Sequence, residues 1–523
     1  MIKQILILLT ITTTLFGQNL LKSYRIGDQN LDQTFGTTPV SNSTQDIIAN
    51  DDWVILGTSR GLSISEDNGE NWKNFYQTSP FGSDGTTAIG YENGNIWATT
   101  GRSVEVDGGS MLPEGTGIKY SVDNGLTWTS IPQPIDDPGD SLITYGINTI
   151  RALPVTTTIS NISYDISFTD STIWIASFAG GLRKSSDMGE TWERVVLPPD
   201  TLDSISPTDT LDFSLQPVAG AFGDESWLNH RVFSVLGVDD STLYVGTAGG
   251  INKSTDNGIS WTKFNHKNQT NPISGNFVVG LGFNDADKSI WAATWKAEDL
   301  EEFWGVSHSS DGGENWEVTL PNEHAHNFGF KYIDGSDSHV MVPTDKGIFR
   351  SGNNGGSWVQ PSAIKDSDTN FPIATNIFYA ATSNQVNATD YHIWVGSNSG
   401  LVRLTETSGF WEGDWKVYFA SAEVKADETF AFPNPFSPAQ ELVKIKYKLS
   451  RDDNVTIRIM NFSMELVRVL IQDAPRQQFD NHIIDFWDGK DEFGKIVTNG
   501  VYFYRIDSDA LNEPLFGKIM VMK

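Results

Sequence analysis

The chain of 523 residues contains no cysteine, so disulfides and thiolate metal sites are both excluded and the fold must be held by packing and hydrogen bonding. Basic residues are scarce: 36 Lys and Arg stand against 66 Asp and Glu, a formal net charge of −30. Such a surface repels phosphate backbones and anionic lipid, which argues against nucleic acid and membrane surfaces as partners. Long apolar runs are missing as well. The longest, Ile5 to Phe16, follows the single basic residue Lys3 and ends at Gly17. It is too short to span a bilayer comfortably and reads as a secretory signal peptide over residues 1–17. No later segment approaches a transmembrane helix, so membrane insertion is not expected.

What is abundant is glycine and aromatic side chains, 48 Gly with 17 Trp, 14 Tyr and 29 Phe, which suits short strands, tight turns and stacked sheets. A pattern Ser-x-Asp-x-Gly-x-x-Trp begins at Ser65, Ser121, Ser185, Ser254 and Ser309, and a sixth copy from Ser351 to Trp358 carries Asn353 in the Asp position. Asp67, Asp123, Asp187, Asp256, Asp311 and Asn353 thereby read as structural residues. Their side chains hydrogen-bond the backbone of a tight turn, Gly supplies a positive φ, and Trp restarts a strand and buries its ring. Upstream lies a second recurrent element, a short apolar strand ending in small residues, with copies starting at Trp53, Ile96, Ile173, Leu243, Ile290, Val340 and Ile393. The last copy lacks a clean Asp box. A further apolar or alternating stretch precedes each, such as Val232 to Val238, Phe277 to Phe283 and Phe328 to Ile333. Four short strands per repeat, seven times, is the pattern of a seven-bladed β-propeller, here over residues 18–420. Unequal motif spacing places insertions around 101–115, 132–161, 198–230 and 296–304, where a localised function is expected.

Near Ala420 the pattern stops. Residues 421–429 read as a polar linker, and residues 430–523 as strands at Val443–Leu449, Val455–Met460, Val467–Ile471, His482–Trp487 and Val501–Asp507, closing with Lys518 to Lys523. Their alternation predicts a small Ig-like β-sandwich, so the expected class is all-β throughout.

The Asp boxes resemble those of the BNR/Asp-box propellers, a superfamily that includes sialidases, sortilin-type receptors, photosystem II assembly factors and xyloglucanases. That resemblance implies the fold and leaves activity open. Phe432-Pro433-Asn434-Pro435-Phe436-Ser437-Pro438 resembles the opening of a type IX secretion sorting domain. Trp487-Asp488-Gly489-Lys490-Asp491, Gly494 and Asn499-Gly500-Val501-Tyr502-Phe503-Tyr504-Arg505 resemble the Ig-like domain of flagellar hook-capping proteins, and the tail from Lys518 to Lys523 resembles that of sorting domains. Together these imply a protein that crosses the periplasm of a Gram-negative bacterium to the medium or the outer-membrane surface, with secretion machinery as partner of its last domain.

Catalytic signals are incomplete. Tyr24-Arg25-Ile26-Gly27 matches three of the four positions of the sialidase Phe/Tyr-Arg-Ile-Pro motif, but Arg151 and Arg231 have no recognisable context that completes the arginine triad this resemblance demands. Asp224-Glu225 and Glu298-Asp299-Leu300-Glu301-Glu302 offer an acid and a base for glycoside hydrolysis, yet in so acidic a chain most such groups are solvated surface. More informative are Trp227, His230 and Arg231 before the fourth blade, Trp295 and Trp304 beside the acidic loop, and His324 and His326 before an inner strand. Loops of successive blades converge on one rim, where such residues suit stacking on sugar rings or a peptide. The spacing of His324 and His326 is unspecific for a metal, Asn284 to Asp287 reads as a turn, and no metal or cofactor is expected. The sequence thus points to a monomeric, exported, non-catalytic propeller that binds glycan or protein on its rim, with a glycoside hydrolase or an envelope scaffold or assembly factor as alternatives.

Overall fold

The computed structural model describes residues 34–523 apart from 107, 221–224, 335–336, 369–371, 374, 388, 421–428, 439–441 and 477–481. The expected signal peptide, Tyr24-Arg25-Ile26-Gly27, Asp224 and nearly all of the linker lie outside the described residues. Among the described residues every helix-length or strand-length regular element is a strand.

Seven antiparallel sheets follow one another along the described chain up to Tyr418. Their first strands are Thr44–Asn50, Gly85–Glu92, Ser163–Thr169, Val232–Gly237, Phe277–Asn284, Gly329–Asp334 and Phe378–Gln385. The second strand of each contains one of the apolar elements read from the sequence. Thr172–Ser177 and Tyr391–Ser397 are buried at every position, because a neighbouring sheet covers each face. Most sheets have four strands in meander order, whereas the first and fourth gain an outer strand and the sixth has three, with its fourth strand reduced to the bridge between Arg350 and Val359.

The first strands stand side by side. Thr44–Asn50 packs against Gly85–Glu92 on one side and against Phe378–Gln385 of the last sheet on the other, so the array returns on itself in a propeller-like ring. Six of the seven first strands slip register near their start, after Thr44, Thr86, Ser163, Val232, Val278 and Phe378. A bulge there sharpens the twist and turns one side chain per sheet away from the ladder.

The Asp boxes form the turns between third and fourth strands. In the third sheet Ser185 Oγ donates to Asp187 Oδ1 (2.8 Å) and accepts from the Gly189 N–H (2.8 Å), while Asp187 accepts from the Thr191 N–H (2.9 Å) and hydroxyl (2.6 Å). Asn353 reproduces the arrangement, accepting from the Ser357 N–H at 2.9 Å. Hydrogen bonds from Thr127, Thr191 and Asn315 hold Asp123, Asp187 and Asp311 at a pKa of about 2.

The box glycine has a second task that local turn chemistry does not reveal. Each box docks on the preceding sheet, and the glycine is the point of approach. A Cβ on Gly258 would lie 2.5 Å from the Trp174 ring of the third sheet, one on Gly189 2.5 Å from Ile131 of the second, and one on Gly69 2.7 Å from Trp394 of the last. The last sheet has no box. There Trp411 donates its N–H to Glu406 (2.9 Å) and its indole Nε1 to the Val359 carbonyl of the sixth sheet (3.0 Å), beside a buried network in which Glu406 pairs with Arg350 (2.6 Å) and Lys331 (2.6 Å).

Among the described residues no strand is shared between first and last sheets. Side chains close that seam: Trp72 meets Trp394 and Tyr418 edge-on at 6.3 and 5.9 Å, Asn384 Nδ2 donates to Asn68 Oδ1 (2.9 Å), and Lys416 pairs with Glu70 (3.0 Å).

Two expected loop insertions are more than loops. Parts of 132–161 and 198–230 form an additional sheet from Leu142–Tyr145, Asn148–Ala152, Ser214–Leu215 and Glu225–Ser226, in which the last three strands pair in parallel. Tyr145, Ile150, Phe213 and Leu215 join the core of the third and fourth sheets, so apolar burial orders these segments. The C-terminal strands form two sheets, Phe430–Phe432, Val443–Tyr447 and His482–Trp487 facing Leu466–Arg476, Asp453–Met460, Gly500–Asp507 and Leu515–Val521, around a separate core that includes Phe436, Tyr447, Trp487 and Tyr504. The closing strand starts at Leu515, ahead of the expected Lys518, because Leu515 and Ile519 both reach that core.

Gly94 and Gly258 have nearly equal left-handed φ values of 82° and 78°, but a Cβ on Gly94 meets nothing within 4 Å. Gly94→Ala is therefore expected to cost about 1–2 kcal/mol of backbone strain, and Gly258→Ala about 1–3 kcal/mol more through overlap with Trp174. Urea unfolding of the two variants checks this, and equal midpoints would contradict the docking role.

Candidate functional site

In an antiparallel meander, loops from second to third strand and from a fourth strand to the next first strand leave at one edge, and Asp boxes at the other. All four insertions are of the first two kinds, so they share one face. The first includes an extension of the second sheet in which Arg102 to Glu105 pair with Glu114 to Met111. On the same face the bulged starts of the first strands surround a cavity of about 550 Å³, whose lining includes Asp46, Thr87, Asp165, Val235, Val279 and Tyr379. These six residues come from six different sheets, and His326 adds the remaining one.

Around this mouth runs a chain of aromatic rings. Tyr164 meets Phe233 at 5.3 Å, Phe233 meets Phe277 at 4.5 Å, and Phe277 meets Trp295 at 5.8 Å. Trp295 lies 5.2 Å from His324 and 5.7 Å from His326, and His326 lies 5.3 Å from Tyr379 of the last sheet. The belt is anchored from behind. Trp295 Nε1 donates to the Ala325 carbonyl (2.8 Å), and Asp345 bridges both imidazoles, 3.2 Å from His324 Nδ1 and 2.8 Å from His326 Nε2. Trp304, 36% exposed, covers His324 at 4.6 Å.

Of the residues singled out in the sequence, Trp295, Trp304, His324 and His326 thus form one cluster. Trp227 and Arg231 stand at the far end of the belt, where the Arg231 guanidinium lies over Trp227 (4.8 Å) and over Phe178 (4.9 Å), and Phe178 meets Phe233 at 6.2 Å. His230 has a different part. Its Nε2 is bonded to the Ala179 carbonyl (3.0 Å), its ring fills the space beside Gly181, and burial lowers its pKa to about 4, so it is a neutral scaffold residue. Two acids of the acidic loop are likewise tied into the scaffold. Glu302 is 4% exposed and accepts from Asn276 Nδ2 (2.8 Å) and the Ala297 N–H (2.6 Å), and Asp299 pairs with Lys267. Arg151 is exposed on the additional sheet, and Asn284 to Asp287 form the turn between two strands.

Sequence reasoning missed two groups. Asp200 holds the turn bearing Trp227 by accepting from the N–H groups of Trp227 (3.2 Å), Leu228 (3.1 Å) and Asn229 (2.8 Å). Asp46 and Asp165, in the cavity wall, each accept one N–H from the next residue and one from the adjacent sheet, Ile89 at 3.1 Å and Val235 at 2.9 Å. Both touch cavity solvent yet lie deep in the ring. Desolvation raises Asp46 to about 6 and Asp165 to about 7, against the lowering effect of those N–H donors, and the Asp46 charge adds to the rise at Asp165. The only sequence signal was a lone Asp before Ile in two inner strands, Asp46-Ile47 and Asp165-Ile166.

No family model matches the chain. Among curated proteins it is similar to xyloglucanase Xgh74A of Acetivibrio thermocellus, 23% identical over 306 residues, which is 52% of this chain and 32% of the relative. The chain therefore matches about a third of the length of that relative. Among solved structures it is similar to YCF48 bound to a D1 peptide (TM-score 0.41, 14% identity, 72% of this chain and 97% of that one). It is also similar to PorZ, an essential bacterial surface component of the type IX secretion system of Porphyromonas gingivalis (TM-score 0.37, 12% identity, 94% of this chain and 70% of that one). A further similarity is to the WD40 β-propeller domain of Doa1 (TM-score 0.36, 12% identity, 69% of this chain and 92% of that one).

A carboxyl whose pKa rises on folding binds its proton more tightly in the folded state. Asp46 and Asp165 therefore stabilise the fold fully below the ordinary value of 3.8, and that contribution is lost as pH rises through about 6 to 7. The Asp-box carboxylates act in the opposite sense, contributing above 3.8 and losing it as pH falls toward about 2. The thermal midpoint is expected to fall between about pH 5 and about pH 8, and Asp165→Asn, which carries no charge into the cavity, to remove much of that fall. An unchanged pH profile in that variant would contradict the assignment.

Proposed function

We propose that the chain is an exported surface protein whose seven sheets are the blades of a single β-propeller, and that it binds a glycan or protein ligand, without turning it over, across the insertion-bearing face. The continuous belt from Phe178 to Tyr379 around one cavity mouth carries this reading. Half-buried rings locked by neighbours offer stacking area at little entropic cost. We further propose that residues 430–523 are an Ig-like sorting domain for type IX secretion, supported by the motifs from Phe432 to Pro438 and Trp487 to Arg505, and that the protein acts as a monomer at the cell surface or in the medium.

Glycan and peptide arrays probed with the full chain and with Trp295→Ala test the binding reading. Retention of specific spots by the wild type and at least about ten-fold weaker binding by the variant is expected, since truncating a central aromatic anchor commonly costs 2 kcal/mol or more. An empty array, or indifference to the substitution, would count against it.

A glycoside hydrolase is the second reading. Asp165 retains a proton near neutral pH, as a general acid must, and the xyloglucanase match covers about half of the chain. Release of reducing ends from xyloglucan by the wild type, and its loss in Asp165→Asn, would replace the binding reading with this one.

A further inference from the structure

Arg231 immediately precedes the inner strand of the fourth sheet, and its guanidinium is held on three sides. Phe178 and Trp227 flank it at 4.9 and 4.8 Å, and its Nε donates to the Pro217 carbonyl at 2.6 Å. Among the described residues its two Nη groups have no hydrogen-bond partner, and they are not buried. Other well-covered arginines have an acid in contact: Arg183 has Asp136, Arg350 has Glu406, and Arg476 has Asp485. Among the described acids, Glu298 and Asp200 act on Arg231 only at longer range. A planar fork with its face clamped and one donor tied off loses little freedom when a carboxylate completes it.

The surroundings narrow the ligand. Beside Trp227 and Tyr164, the belt next to Arg231 is made of Phe178, Phe233 and Phe277, three successive rings that carry no hydrogen-bonding group. Sugar hydroxyls need paired donors and acceptors about the ring, whereas apolar side chains need none. Asp46, Asp165 and Asp345 edge the same mouth, and the chain carries a net charge of −30, so a polyanion is repelled. One isolated carboxylate flanked by apolar groups is what remains, and the C-terminus of a polypeptide has that chemistry.

Resting on the reading of this face as a ligand-binding rim, we propose that Arg231 is its specificity-determining residue, binding the terminal carboxylate of a protein ligand whose last side chains are apolar and pack along Phe178, Phe233 and Phe277. The probe is a pool of fluorescein-labelled octapeptides ending in Leu-Phe, prepared as free acids and as C-terminal amides, titrated against the full chain by fluorescence polarisation. Free acids are expected to bind about ten-fold or more tightly than amides. Arg231→Gln is expected to abolish the difference, and Arg231→Lys to keep part of it, since Lys retains the charge without the fork.

The acid and amide comparison uses the wild type alone and is independent of whether a variant folds. Equal binding of acid and amide, no binding of either, or an acid preference that survives Arg231→Gln would overturn the proposal. So would Arg231-dependent capture of glucuronate-bearing oligosaccharides in place of the peptides. If acid and amide bind equally but Trp295→Ala abolishes both, the rim reading stands and only the anchor falls.

Discussion

Two recurrent motifs that are separate in sequence meet in space, and the architecture depends on that meeting. A tryptophan in the second strand of one sheet lies under the Asp-box glycine of the next: Trp174 under Gly258, Trp291 under Gly355, and Trp394 under Gly69 across the closing seam. Each such tryptophan is fully buried, worth about 3 kcal/mol apiece in transfer free energy. The box keeps its turn tight through Ser and Asp, while the glycine lets that turn come close enough to cover the ring. At the other steps Ile64, Ile131 and Phe264 take the place of the tryptophan under Gly125, Gly189 and Gly313, and the last step falls between residues more than three hundred positions apart, as in Asn68 with Asn384.

This device also separates the two faces. Asp boxes occupy one edge of every sheet that has them, leaving the other edge to loops whose length does not affect the seams. Insertions accumulate there and converge with the bulged starts of the inner strands, placing aromatic side chains from five successive sheets around one mouth. The scaffold is thus built from contacts that tolerate no extra carbon, while the opposite face is free to vary. Two half-buried carboxylates belong to both regimes, since Asp46 and Asp165 tie neighbouring sheets through backbone N–H groups and also line the cavity.

Much of this was legible in advance because it is local. The turn chemistry around Asp187, the apolar second strands and the change of pattern near Ala420 follow from side chains acting within a few residues of themselves. Less legible were features that depend on a neighbour. His230 and Arg231 are adjacent in sequence and equally polar, yet one is neutral and tied to Ala179 while the other presents open donors between two rings. Glu302 resembled a catalytic acid in a charged loop, but Asn276 and Ala297 satisfy it and make it a brace. The additional sheet was hidden because its two- to five-residue strands are too short to show a period and acquire order only by burying Ile150, Phe213 and Leu215.

The amino-acid sequence by itself determined the all-β class and the repeated hairpin with its residues, since these rest on periodicity, turn preference and composition, which are encoded within short windows. The tertiary structure alone decided which motif touches which, that the boxes and the insertions lie on opposite faces, that Asp46 and Asp165 line one cavity, and that Arg231 stands at the end of the aromatic belt. Those outcomes depend on through-space packing, desolvation and charge proximity among residues far apart in the chain, which no local pattern specifies.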